Sequence, residues 1–365
     1  MKKQRYCYIS AGLMIMAGLT SCSDTKEEPS MPDGDNPTVS SGLFVLNQGN
    51  YYSGIEGSLN MIDYSDGASQ TEVFQKANGR SLGSTPQCGI CYGSKVYLGV
   101  YDSNTIEIID KNDYKSIRQI KLPESGYSGS GPRSMVATGG KVYISMFDGY
   151  VARLDTISLH IDASVQVGPN PETMAVYNGK LYVPNSDGMS MSGSFGTTAC
   201  EIDLGNFTVT QTFNVPENPV QFMANETGLY LLCNGNYYDV EAKIYKIDPG
   251  VGHETIDNAT VAAICGNYIY YVNDPFYGTG HADYKQYNLK TREISDWTIE
   301  RPEYATSIYY DDLAGRIAIS SLRYYGNIWP SYDQPGYVAV YDTNGTHLKD
   351  YDCGVGPSCI FKKSE

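Results

Sequence analysis

The groups that could do chemistry are few in this 365-residue chain, and they are scattered. Its four histidines, His160, His253, His281 and His347, stand in no zinc-ligand spacing with each other or with cysteine. Neither a Gly-x-Ser-x-Gly elbow nor a P-loop is present. Asp102, Asp148, Asp187, Asp239 and Asp274 could hold calcium if they converged, but each accompanies turn-forming Asn or Gly, and turn chemistry accounts for them. Cys88 and Cys91 form a Cys-x-x-Cys. It falls within an apolar strand-like run rather than at a helix start, where a thiol would be acidified, so it reads as a buried pair of small residues. The expectation is a protein that binds rather than an enzyme, with no catalytic residue, metal or resident cofactor.

What is concentrated is aromatic surface. Tyr51, Tyr52, Phe195, Tyr237, Tyr238, Phe276, Tyr277, Tyr324, Tyr325, Trp329 and Tyr332 lie in irregular segments, with Asn47, Asn50, Asn185, Asn234, Asn236, Asn273 and Asn327 beside them. Tyr and Trp supply rigid contact area with a polar edge, and Asn and Gly supply adaptable hydrogen bonding. The combination suits a large, partly flat organic ligand with a polar rim, or a protein partner. The competing reading is that these rings pack on one another and only stiffen long loops. Arg133, Asn170, Asn218 and Arg301 belong to neighbouring connections; an arginine there also suits a carboxylate of the next structural unit.

The elements that position these residues repeat. A polar turn and an alternating strand recur as GSKVYLGV (93–100), GGKVYISM (139–146), NGKLYVPN (178–185), TGLYLLCN (227–234), GNYIYYVN (266–273) and GRIAISSL (315–322). A shorter apolar run, usually opened by proline, precedes each copy, starting at 86, 132, 171, 219, 258 and 302. A period of about 40–50 residues with several strands per unit is the signature of a β-propeller. Each unit reads as four strands, a to d. Strand c is visible as TIEIID (105–110) or GYVAVYD (336–342), and strand d as SIRQIKL (116–122) or HLKDYDC (347–353).

Six units are complete. The N-terminal one has strands b, c and d at 42–50, 57–64 and 71–75 but no strand a; GPSCIFK (356–362) at the other end supplies it and closes the ring. The expected fold is all-β: a seven-bladed β-propeller of four-stranded antiparallel blades over residues 42–365, without a helix of any length. Because strands alternate in direction, d-to-a and b-to-c connections share one face. The a-to-b and c-to-d turns share the other. The long aromatic loops are all b-to-c connections, so they gather on one face.

Residues 1–21 carry Lys2, Lys3 and Arg5 followed by a short apolar stretch, a signal peptide too brief to span a bilayer. It ends in Leu19-Thr20-Ser21-Cys22, resembling a bacterial lipobox, with Cys22 as the lipidated residue and membrane anchor. Residues 22–41 then read as the lipidated cysteine and a flexible acidic tether. Of nine cysteines, Cys7 leaves with the signal and Cys22 takes lipid, which leaves an odd number and at least one unpaired thiol. The net charge of −15 becomes three units more negative once the signal is removed, which argues against nucleic-acid partners.

The opening FVLNQGNYYSGIEGSLNMID (44–63), the six Gly-Lys-Val-Tyr-type repeats and the lipobox together resemble the YncE-like seven-bladed propeller lipoproteins of Bacteroidota, over roughly residues 42–362. Within that group are the BtuG-type surface lipoproteins, which capture vitamin B12 and related corrinoids and sit on a TonB-dependent outer-membrane transporter. The resemblance implies an outer-membrane, lipid-anchored, exterior-facing protein that binds cobalamin or another corrinoid and partners such a transporter. The acidic stretch after Cys22 resembles the surface-export signal of these lipoproteins. Two alternatives stand beside it: an adhesive surface propeller that contacts protein or glycan, and a propeller lyase or lactonase.

Overall fold

The computed structural model describes residues 39–190, 193–274, 282–326 and 329–364. They form seven four-stranded antiparallel blades, a seven-bladed β-propeller. Blade I takes strands b, c and d from Ser40–Asn47, Ser58–Asp63 and Ser69–Gln70, and strand a from Pro357–Ser364. Blades II to VII follow in chain order, beginning with Pro86–Tyr92 and ending with His347–Val355. The closure is a ladder in which Phe44 pairs with Phe361 and Val45 with Ile360. The two phenylalanine rings stack at 5.4 Å.

The core is divided rather than central. Seven apolar clusters are present, one between each pair of neighbouring blades. Strand b of blade I shows why its residues read as nearly continuous apolar runs. Phe44 and Leu46 pack toward blade II, while Leu43 and Val45 pack toward blade VII. Both faces of this inner strand are buried, so a period of two alternates between neighbouring blades, not between core and water; the outer strand d is largely exposed.

The turn face is uniform. At the end of strand c an Asp or Asn side chain caps the following turn in six blades: Asp63, Asp110, Asp155, Asp203, Asn288 and Asp342 each accept backbone N–H groups two to four residues on. The a-to-b turns use left-handed residues, as at Asn178 (φ 48°) and Gly179 (φ 73°), which tight hairpins require. The two turns of a blade are tied together by bonds such as Lys111 N to Ser94 O and Thr156 N to Gly140 O.

Three expectations need correction. Residues 71–75 are not strand d of blade I: that strand is the two residues Ser69–Gln70, and Val73–Asn78 is a short α-helix. Val73 and Phe74 are adjacent and both buried in the blade I–II cluster. Neighbours on a strand point to opposite faces, whereas a helix can turn both inward. In blade IV the strand a ladder covers only Ala175–Tyr177, with Pro171 held by a single bridge to Asn185. In blade VII the place taken elsewhere by the opening proline belongs to Ala305, not Pro302, since Ala305 pairs with Ser321 and Thr306 is skipped.

Candidate functional site

In five of the seven blades strand a opens with an irregularity that decides the chemistry of the axis. Pro86 pairs with Val100 and Cys88 with Gly99, so Gln87 is skipped. The same one-residue bulge skips Arg133, Val220, Thr306 and Ser358 in blades III, V, VII and I. A bulge re-aims the extra side chain out of the ladder. All five, with Glu172 and Thr260 at the matching positions of the other two blades, line an axial cavity of 570 Å³. Below them Cys88, Tyr309 and Cys359 form part of the wall. Burial pushes all three upward, Cys359 to about 11, and leaves that wall uncharged.

A second ring lies outside the first. The residue that follows strand b donates its backbone N–H to the d-to-a segment: Gln48 to Gly356 O, Tyr101 to Thr85 O, Phe147 to Gly131 O, Ser186 to Asn170 O and Asn234 to Asn218 O, at 2.8–3.1 Å. Tyr101 and Phe147 meet edge-to-face at 5.4 Å. Three further cavities of 570, 690 and 310 Å³ open around the axial one. Gln87 and Asn234 each join the axial cavity to two of these, and Thr306, Leu322 and Tyr332 wall both larger lobes. The lobes thus form one depression around the mouth of the channel.

Most of the described residues expected from sequence fall in this depression. Tyr51, Tyr52 and Tyr332 line the 570 Å³ lobe, and Tyr237, Tyr238 and Tyr332 the 690 Å³ lobe. Arg133 and Tyr237 line the 310 Å³ lobe. Phe195 backs Tyr237 edge-to-face at 5.6 Å. Tyr52 and Tyr238 are almost wholly exposed, at 97% and 94%. Tyr324, Tyr325 and Trp329 line none of these cavities; they belong to a small hairpin in which Tyr325 pairs with Trp329. Phe276, Tyr277, His281 and Cys22 lie outside the described residues.

The asparagines do a different task from the one their types suggest. Asn50 accepts from Tyr52 N and Ser53 N and donates to Asp333 Oδ1 at 2.7 Å, tying the blade I loop to the blade VII loop. Ser53 Oγ joins the same carboxylate at 2.7 Å. Asn236 accepts from Tyr238 N, Asp239 N and Val240 N. Asn234 donates to the Tyr237 hydroxyl at 3.1 Å. These side chains brace the backbone of the loops that carry the rings, and Asn234 also holds the Tyr237 hydroxyl, which lowers the entropy cost of ordering the loops on binding.

The electrostatics are one-sided. Arg133 is the one basic residue among the described residues lining the four cavities, where Asp102, Glu172, Glu241 and Asp274 also lie. Arg133 Nε donates to Glu172 Oε2 at 2.6 Å and its Nη1 to Gln87 Oε1 at 2.7 Å. Its guanidinium lies 5.8 Å from the Phe147 ring centroid. The buried Glu172 also accepts from Ser186 Oγ at 3.1 Å. The arrangement disfavours polyanions and suits a neutral ligand with hydrogen-bonding groups.

Sequence reasoning missed Gln48, Gln87, Tyr101 and Phe147. Tyr101 and Phe147 sit in the shortest b-to-c loops, which attracted no attention. Their signal is positional: they are the first residues after a repeated strand. Gln87 had the same kind of signal, as the residue after an opening proline.

All seven described cysteines are free thiols. Burial pushes Cys88 upward, in keeping with a packing role for that thiol, while Cys91 is only partly buried. Among the described residues no group of three His, Cys, Asp or Glu side chains could hold a metal ion, and no helix is long and apolar enough to cross a membrane.

No protein-family model and no curated protein matches the sequence. Solved structures do match in shape. The chain is similar to the hydrazine synthase of Kuenenia stuttgartiensis, with a TM-score of 0.60 and 13% identity, over 89% of this chain and 99% of that one. It is also similar to a quinonprotein alcohol dehydrogenase-like protein from Bacteroides thetaiotaomicron, with a TM-score of 0.59 and 15% identity, over 88% and 78% of the two chains. At such identity the likeness is one of fold.

Proposed function

We propose that this protein is a cell-surface lipoprotein that captures a corrinoid such as vitamin B12 on its loop face and passes it to a TonB-dependent outer-membrane transporter, without chemically altering it. The observation that carries this reading is the preorganised depression around the channel mouth. Exposed tyrosines on hydrogen-bonded loops surround a polar, uncharged-to-acidic opening. A corrinoid combines a broad ring system with many amide groups, and it needs stacking area and neutral hydrogen-bond partners together. The YncE-like resemblance, the lipobox at Cys22 and the acidic tether support the surface location.

The test is titration of the detergent-solubilised full-length protein with cyanocobalamin, followed by co-elution of the red absorbance on gel filtration. A complex at micromolar ligand, lost in the Tyr332→Ala protein, is the expected result. No binding by folded wild-type protein would overturn the reading. One observation favours a macromolecular contact as well. Tyr325 and Trp329 are 76% and 60% exposed on a hairpin that lines none of the cavities. Under the capture reading this hairpin meets the transporter; under an adhesive reading it meets another protein or a glycan.

A further inference from the structure

A second site of different character lies on the outer rim, between blades II and III. A notch of 140 Å³ is lined by Arg118 and Lys121 from strand d of blade II, Glu124 from the segment after it, and His160 and Ile161 at the start of strand d of blade III. In a chain of net charge −15, three basic side chains at one small cavity are unusual.

The local bonds leave positive charge unmatched. Lys121 meets Glu124 at 3.5 Å, but Arg118 has no carboxylate partner among the described residues. The nearby Asp162 already holds Lys141 and Arg153, each at 2.6 Å. The contact between Arg118 and His160 is not a mutual solution. His160 Nδ1 lies 2.7 Å from Ser158 O, so that nitrogen carries the hydrogen and donates it. Arg118 Nη1 stands 3.3 Å from the same nitrogen and is itself only a donor. A donor faces a donor, and an oxyanion placed at the notch would accept from the guanidinium that the imidazole cannot serve. Arginine's planar fork suits such an anion.

We infer that this notch binds a tetrahedral oxyanion, sulfate or phosphate, either free or as the ester group of a larger molecule such as a saccharide. The volume admits such a group. The site is remote from the channel mouth in composition, sharing no lining residue with the four cavities there, and does not depend on the corrinoid reading.

The experiment measures the thermal midpoint of the full-length protein against sodium sulfate and against phosphate, with sodium chloride holding ionic strength constant. A ligand that binds only the folded state raises the midpoint saturably. The expected result is a saturable rise at millimolar anion, with the half-saturating concentration at least ~10-fold higher in Arg118→Gln and unchanged in Lys290→Gln, an exposed lysine in another blade. Circular dichroism establishes that both variants are folded. An equal response in wild type and Arg118→Gln, or no saturable response in wild type, would overturn the inference. A sulfated disaccharide is the second arm: tighter binding than free sulfate assigns the notch to an ester group, and equal binding assigns it to the free ion.

Discussion

The two faces of the disc are built from the same blades and obey different rules. On the turn face, six blades end strand c with an Asp or Asn that caps its own turn, and the turns of a blade bond to each other. Most of its turn caps are satisfied within the same turn, and that solution is copied in six blades, with a few bonds to the next blade, as from Asn225 to Gly266 O. On the loop face a one-residue bulge recurs in five blades, but the b-to-c loops differ in length and conformation, one holding left-handed Tyr237 (φ 60°), and some of their bonds cross between blades, as from Asn50 to Asp333. Repetition serves stability on one side; departure from it creates a unique surface on the other. A ring of near-identical units has no other way to make one asymmetric site.

The largest effect should come from the scaffold both faces share. Phe44→Ala removes a fully buried ring that stacks on Phe361 in the closing blade, and should cost about 3–5 kcal/mol of stability. An unfolding free energy, from denaturant titration, lowered by less than a third of that would mean the closure carries little load. Tyr332→Ala should weaken corrinoid binding by about 2 kcal/mol, roughly thirtyfold, at an unchanged melting temperature, because that ring walls both larger lobes. If it instead destabilised the fold and left affinity alone, the loop face would be structural and the contrast would fail.

The turn face predicts the opposite split. Asp110→Ala removes the acceptor of the Asn112 N–H at 2.7 Å and should cost about 1 kcal/mol of stability with no change in ligand affinity. Acid should also act through this side of the disc. Burial alone would raise the Asp155 carboxyl. Hydrogen bonds from Lys141 and Ser158, and the Lys141 charge, outweigh burial and hold it well below the ordinary 3.8. Asp162 is likewise held low: burial raises it, and bonds from Lys141 and Arg153 outweigh that. Groups depressed on folding stabilise above their unfolded values, and that stability is lost as pH falls through about 4 and below. Unfolding free energy measured from pH 6 down to pH 2 should therefore fall most below pH 4, and less steeply in Lys141→Met. The smallest effect on corrinoid affinity is expected from the Tyr325→Ala, Trp329→Ala pair, within about twofold, since the hairpin lines no lobe. A thirtyfold loss there would move the site outward.

The scaffold was legible in the sequence for a simple reason. Both faces of strand b are buried between neighbouring blades, so it is largely apolar, and the polar turn before it marks each copy. The closing role of Pro357–Ser364 followed from counting, since one unit lacked a strand and one strand lacked a unit. The helix Val73–Asn78 was not legible, because two adjacent apolar residues fit a strand until it is known that both must point at the same neighbour. The site was half legible. Exposed aromatics in long loops stand out by type, and alternating strand direction places them on one face. The bulges that turn Gln87, Arg133 and Thr306 into the axis leave no mark of composition.

By itself, then, the sequence determined the repeat, the number of blades and the face on which irregularity accumulates, because hydrophobic period and turn chemistry are local properties. Only the tertiary structure decided which loops touch, that the asparagines hold tyrosines rather than wait for a ligand, and that Arg133 is already paired with Glu172. Ring closure brings Asn50 to Asp333, the packing of neighbouring blades brings Arg133 to Glu172, and the fold of a single loop brings Asn234 to Tyr237.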